Sequence, residues 1–272
     1  GSGSGSHGNV NVSEALEVSC NYFFYTVAYR MNKGAGDLSG INTLNKYMEA
    51  FGLNSPTGVE ISELYDSMSQ YPTHISSPEY KKYITQQRDV EAKESDYKWS
   101  AGDTIRTAIG QSYNNYTSAL MSKYVATLAN GGTRYSMHFL NKITTNDGKI
   151  EEEYQPKVES KIEIKKENLD AIFRGMFLVT TGPRGTLRSY FKDFPVNVAA
   201  KSGTAQQSSK RSEHTTFVAF APLEDPQISV CVIIPFGNGT TGPAPKVAKA
   251  AISEYLKLDY ESELKSYDTL LH

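Results

Sequence analysis

The sequence predicts an α+β domain, an antiparallel sheet flanked by helices, on three observations. Runs rich in β-branched and small residues at about 196–206, 215–222 and 227–235 read as strands, with Leu223-Glu224-Asp225-Pro226 as a turn between the last two. Helical segments carry apolar stripes: Leu44, Tyr47, Met48 and Phe51 within about 40–51, and Leu169, Ile172, Phe173, Met176 and Phe177 within about 166–180. A last helix at about 244–257 sets Val247, Ala251 and Tyr255 beside Ala248, Ile252 and Leu256. There are no internal repeats, and strands with helices packed against them make an α+β arrangement.

Taken in order, Gly1-Ser2-Gly3-Ser4-Gly5-Ser6 reads as a linker or leader outside the fold. From Ser13 to about Met31 the pattern is helical and interrupted at Ser19-Cys20-Asn21, with Ser13 as the expected N-cap and Glu14 favouring the positive helix end. Asn32-Lys33-Gly34-Ala35-Gly36 breaks it, and Gly52 takes the C′ position of the next helix. Residues 54–100 are rich in turn formers and charges and show no clean period; Trp99 to Asp103 reads as a loop. Thr104 to Gly110 leads to a helix at about Thr117–Ala129, closed by Asn130-Gly131-Gly132, and Asn146-Asp147-Gly148 centres a hairpin within 141–153. Thr181-Gly182-Pro183-Arg184-Gly185-Thr186 is a loop. Residues 259–272 form a charged tail, which leaves 7–258 as the expected domain.

Composition narrows the function classes. The chain has 272 residues, 39% hydrophobic and 21% charged, with a formal net charge of −2, an ordinary globular balance. Near-neutral charge without a basic stripe argues against nucleic acid as a partner. No apolar run approaches the ~20 residues of a membrane span. Cys20 and Cys231 give no disulfide framework, and Cys231 alternates within an apolar strand as a core thiol would.

Lys201-Ser202-Gly203-Thr204-Ala205-Gln206 is the chemically richest stretch. An ammonium, two hydroxyls and a glycine on an approachable strand suit the holding of a carboxylate and a carbonyl against a sheet edge. Ser19-Cys20-Asn21 is the second motif, placed between a helical segment and the aromatic run Tyr22-Phe23-Phe24-Tyr25. Serine-acylating penicillin-binding proteins and β-lactamases use S-x-x-K, then S-x-N, then K-[ST]-G. The second and third occur here in that order, with Ile109-Gly110-Gln111-Ser112, Ala129-Asn130-Gly131-Gly132-Thr133 and Phe217-Val218-Ala219-Phe220-Ala221-Pro222 as accompanying phrases. From about His7 to Leu256 the chain resembles the later part of the transpeptidase domain of class B penicillin-binding proteins, nearest the elongation and sporulation types.

The resemblance implies the transpeptidase fold shared with serine β-lactamases, acyl transfer at a D-alanyl-D-alanine peptide, and β-lactams as mimics. It implies no required cofactor, stem peptides of peptidoglycan as partners, and a bacterial parent anchored at the outer face of the cytoplasmic membrane within a cell-wall synthesis complex. Carried over by residue, Ser19 would relay protons and Asn21 would hold the acyl side-chain amide. Lys201 would raise the positive potential, Thr204 would bond the substrate carboxylate, and Ser202 fills a slot that is Thr or Ser in the family. Gly203 admits the ligand, and Gln206 would lend its backbone to an oxyanion hole.

Before Ser19 no S-x-x-K occurs. The two matches elsewhere, Ser95-Asp96-Tyr97-Lys98 and Ser262-Glu263-Leu264-Lys265, lie downstream of Ser19 and read as chance. The nucleophile and its lysine are therefore expected from a segment upstream, and the chain alone is expected to be inactive. In the resembled fold two of five strands also come from that upstream part, so the strand at 227–235 is expected to have an exposed edge that needs the segment as a partner. Cys20 reads either as a structural thiol or, with His214, as a metal ligand; zinc needs about three or four protein ligands, which favours the thiol. Other readings of the whole are a β-lactam-sensing domain, a β-lactamase relative, or a non-catalytic module.

Overall fold

The computed structural model describes residues 6–34, 36–61, 73–205, 212–237 and 242–258. They form two compact units, one of residues 1–24 and 164–272 and one of residues 25–163.

The first unit opens with α1 (Val12–Glu17). Its start lies one residue before the expected one: the Asn11 side chain accepts the Glu14 N–H, and the Glu14 carboxylate accepts the Asn11 N–H. This reciprocal pair is a capping box. Ser13 is released from capping, and its hydroxyl donates instead to the Ala171 carbonyl at 2.7 Å. The expected break at 19–21 follows, and then α2 (Asn21–Met31).

The second unit holds α3 (Ser39–Ala50), α4 (Pro78–Arg88), α5 (Glu94–Tyr97), α6 (Ala101–Thr107) and α7 (Ser118–Ala129). Its strands are β1 (Thr133–Tyr135), β2 (Lys142–Thr144), β3 (Ile150–Glu153) and β4 (Val158–Lys161), paired antiparallel as β1–β4 and β2–β3. The hairpin expected around Asp147-Gly148 is β2–β3. The loop expected at Trp99–Asp103 is instead a helix start. Ser100 caps α6, its side chain accepting the Asp103 N–H while Asp103 accepts the Ser100 N–H. α4 too lies where no period was legible; Ser77 caps it and Pro78 fixes its first turn. Short capped helices with mostly exposed faces leave little apolar periodicity to read.

The chain returns to the first unit through α8 (Lys166–Thr181), α9 (Arg188–Phe191), β5 (Ala199–Ala205), β6 (His214–Ala221), β7 (Ile228–Ile234) and α10 (Ala244–Leu256). The three strands pair antiparallel in the order β5-β6-β7. Successive side chains alternate between the sheet's faces. One face presents Ala200, Phe217 and Ala219 to a core shared with Phe191 of α9 and Ala248 and Ile252 of α10. On the other, Phe220 meets Phe173 of α8 at a ring distance of 4.9 Å. The Thr180 hydroxyl at the end of α8 donates to the Val198 carbonyl at 2.7 Å, fixing the helix to the start of β5. Among the described residues, β5 and β7 each pair on one side only.

Candidate active site

The site begins with how α1 ends. The Ser19 N–H bonds the Leu16 carbonyl and the Cys20 N–H reaches back to the Ala15 carbonyl at 2.8 Å. This is a Schellman ending, whose C′ residue takes a left-handed conformation and is usually glycine. Here it is Ser19, at φ +52°, and it is exposed. A left-handed backbone costs an L-residue ~1–2 kcal/mol. Cys20, the next residue, is buried, as is Ala15, whose carbonyl its N–H reaches. Asn21 then opens α2 on the exposed side.

The second half comes from β5. Lys201 Nζ donates to Ser19 Oγ at 2.9 Å and to the Ser202 carbonyl at 2.7 Å, joining motifs 182 positions apart in sequence. Both partners are neutral. Burial of the ammonium, uncompensated by a carboxylate, pulls the Lys201 pKa down to about 8. Near pH 8 about half of such lysines are neutral and able to accept a proton as well as donate one.

Ser202 points the other way. It is buried, and its hydroxyl lies 3.5 Å from that of Thr186 in the loop after α8. Gly203 lies across from Thr216, and a Cβ there would come within 2.4 Å of Thr216 Oγ1, so a larger residue would have to turn that hydroxyl aside. Thr204 pairs across with Thr215 and remains partly exposed. Gln206 lies outside the described residues.

Of the residues considered as metal ligands, Cys20 has a free, buried thiol, and His214 Nδ1 accepts the Phe236 N–H at 3.1 Å. Among the described residues no group of three or more His, Cys, Asp or Glu could hold a metal ion. Of the S-x-x-K matches, Ser95 sits on α5 with its hydroxyl toward Asp96 at 3.2 Å. Lys98 follows the helix as its C-cap, and its carbonyl accepts a bond from Lys81. Ser262 and Lys265 lie outside the described residues.

Two features of the site escaped the sequence reading. One is Glu17, two residues before Ser19, with its carboxylate buried. The other is the role of the 182–186 loop as the support behind Ser202. The signal available was a charged residue one turn after Ser13 on the α1 face that buries Ser13, Ala15 and Glu17.

Ser19 at the ending of α1 and Lys201 on β5 thus meet in an α+β unit whose antiparallel sheet carries helices on both faces. The penicillin binding protein transpeptidase domain matches residues 2–254. The chain belongs to this family. It is 32% identical over 266 residues to the peptidoglycan D,D-transpeptidase MrdA of Escherichia coli, covering 93% of this chain and 38% of that protein. To the MrdA of Haemophilus influenzae it is 31% identical, covering 92% and 37%. The chain thus spans under two fifths of the length of these relatives. Among solved structures, Pseudomonas aeruginosa PBP2 in complex with WCK 5153 aligns with a TM-score of 0.68 at 29% identity, over 93% of this chain and 50% of that one. Penicillin-binding protein 2B of Streptococcus pneumoniae aligns with a TM-score of 0.73 at 22% identity, over 93% and 40%, a likeness of fold.

Proposed function

We propose that this chain supplies the substrate-binding wall and the proton relay of a peptidoglycan D,D-transpeptidase that β-lactams acylate. The Ser19–Lys201 hydrogen bond carries the reading, because it unites the S-x-N and K-S-G motifs in the one arrangement that moves a proton. A nucleophilic serine from an S-x-x-K segment would attack the carbonyl of the penultimate D-alanine and form an ester as the C–N bond breaks. Its proton would pass to the lysine of that segment. The departing D-alanine amine would take a proton from the Ser19 hydroxyl, replenished from the Lys201 ammonium; an acceptor amine would then reverse the sequence. Thr204 would bond the terminal carboxylate, Asn21 the acyl side-chain amide, and Gln206 would contribute a backbone donor to the oxyanion. The outer edge of β5, unpaired among the described residues, suits an extended peptide laid antiparallel to the strand.

The family match to residues 2–254 supports treating 7–258 as one transpeptidase domain. The upstream segment would then also cover the apolar edge of β7. No helix among the described residues is long and apolar enough to cross a membrane. By the family resemblance, the parent protein would sit at the outer face of the cytoplasmic membrane, in a cell-wall synthesis complex. One distant relative, Helicobacter pylori PBP2, is solved in complex with MreC.

Intact mass after incubation with a reactive penicillin tests the reading. The chain alone is expected to gain no covalent adduct, and the chain joined to its S-x-x-K segment to gain one. An adduct on the chain alone, mapped to Ser19 or Ser95, would overturn this assignment of the nucleophile. A joined domain that stays unlabelled would sink the transpeptidase reading.

A further inference from the structure

Glu17 is the most deeply buried carboxylate near the site, and the proton relay makes no use of it. Its carboxylate accepts the Arg184 backbone N–H at 3.0 Å, with the Arg184 guanidinium farther off at 3.8 Å and half exposed. Gly182 approaches so closely that a Cβ would lie 2.3 Å from Glu17 Oε1. The loop that Glu17 grips is closed on itself by Gly185 N–H to Gly182 carbonyl at 3.0 Å, and tied back to α8 by Leu187 N–H to Val179 carbonyl at 3.0 Å. Its next residue, Thr186, stands behind Ser202 at 3.5 Å, and the Ser202 carbonyl receives Lys201.

These contacts close a ring. Starting from Ser19, the chain runs two residues back to Glu17, across to Arg184, along the loop to Thr186, across to Ser202, and by Lys201 back to Ser19. A burial this complete is costly for a carboxylate unless its oxygens are matched. The nearer matching group is a backbone N–H, fixed in place by the loop, so the carboxylate defines a distance.

We infer that Glu17 is a positioning residue that sets the separation of Ser19 and Lys201 by anchoring the 182–186 loop, through the length and acceptor geometry of its side chain. For catalysis this rests on the proposed transpeptidase reading; for the ring it does not. A displacement of about 1 Å among reacting groups can cost up to about a hundredfold in rate, which is the scale on which such an anchor matters.

The test compares Glu17→Gln, which keeps length and acceptor, with Glu17→Asp, which keeps charge and retracts the oxygens by one methylene. In the chain itself, the titration of Lys201 is followed by NMR of its side-chain carbons. Glu17→Asp is expected to move the Lys201 midpoint up from about 8 by about one unit as the loosened ring admits water, and Glu17→Gln to leave it in place. In the domain joined to its S-x-x-K segment, Glu17→Asp is expected to lower the limiting rate of labelling by a fluorescent penicillin about tenfold, with little change in the concentration giving half that rate. Should Glu17→Asp not fold, Thr186→Val, which removes the exposed hydroxyl behind Ser202 and opens the same ring, takes its place, with the same rise of the Lys201 midpoint expected.

A Glu17→Asp variant with a lowered melting temperature but an unmoved Lys201 midpoint would overturn the inference, since that is a structural role alone. Glu17→Gln as impaired as Glu17→Asp would overturn it in favour of the charge. A wild-type joined domain that takes no label, with the Lys201 pattern as expected, would defeat the transpeptidase reading and leave the ring standing.

Discussion

Each of the two units holds a lysine away from solvent, buried for Lys123 and partly buried for Lys201, and the contrast between them separates two uses of an ammonium. In the second unit Lys123 donates to Glu159 at 2.7 Å and to the Thr57 carbonyl at 3.0 Å, while the other Glu159 oxygen takes Arg134 at 2.9 Å. Its charge is matched by a charge. In the first unit Lys201 meets a hydroxyl and a carbonyl, both neutral. A matched ammonium is an element of structure. One left to neutral acceptors in a dry place has its proton loosened, which suits a relay.

The comparison is broken most directly by exchanging each lysine for methionine. Lys201→Met is expected to cut penicillin acylation of the joined domain by about two to four orders of magnitude while leaving the melting temperature unchanged or higher. Lys123→Met is expected to do the reverse, destabilising the fold by ~1–2 kcal/mol through the loss of its bonds to Glu159, which keeps Arg134, and to the Thr57 carbonyl, with acylation per folded molecule retained. Denaturant melts with labelling kinetics on both variants measure this; equal loss of activity in the two would end the distinction.

Acid titration sharpens the same point. Burial pushes the Asp103 carboxyl up, but the hydrogen bonds from Lys81 and Ser100 outweigh it and hold its pKa below the usual carboxylate value. A depressed folded pKa gives stability that is present above the unfolded value of 3.8 and lost as pH falls through the folded one. Wild type is therefore expected to lose stability below about pH 4, and Asp103→Asn to lose less over that interval, starting from a lower plateau. Urea melts from pH 2 to 6 read this, and parallel curves for the two proteins would count against it. Lys201 gives a slope of the same sign for the opposite reason: burial penalises its charged form, so it costs stability below about pH 8, and that cost is relieved as pH rises from about 8 to 10.5.

The smallest expected effect concerns Ser19. Ser19→Gly is expected to stabilise the fold by up to ~1 kcal/mol, because glycine takes the left-handed C′ position without strain. The same change removes the hydroxyl and with it the relay. A loss of stability would show that the serine is favoured there for structural reasons.

Much of this molecule is local and was legible. The three strands were expected at about 196–206, 215–222 and 227–235 and are β5 to β7, and the Asp147-Gly148 hairpin and the helix after Thr117 also stand where expected. Alternation, apolar stripes and cap residues act within a few positions, so the sequence carries them openly. The misreadings share one cause. Ser13 and Asn11 are both competent caps, and which one serves was decided by a distant carbonyl, that of Ala171. Trp99 to Asp103 looked like a loop because its capping box is local but its burial is not; Trp99 Nε1 reaches Thr104 Oγ1 at 2.9 Å in a dry setting.

The site divides in the same way. Residue types and order, Ser-x-Asn then Lys-Ser-Gly, were enough to point to the family, because the strand and the helix ending that hold them are short-range structures. Tertiary packing alone decided that Lys201 touches Ser19 across 182 positions, that Ser202 turns inward to Thr186, and that Glu17 grips a loop 167 positions away. Those contacts depend on burial, and burial is settled by the whole unit folding at once, with no trace in the spacing of residues along the chain.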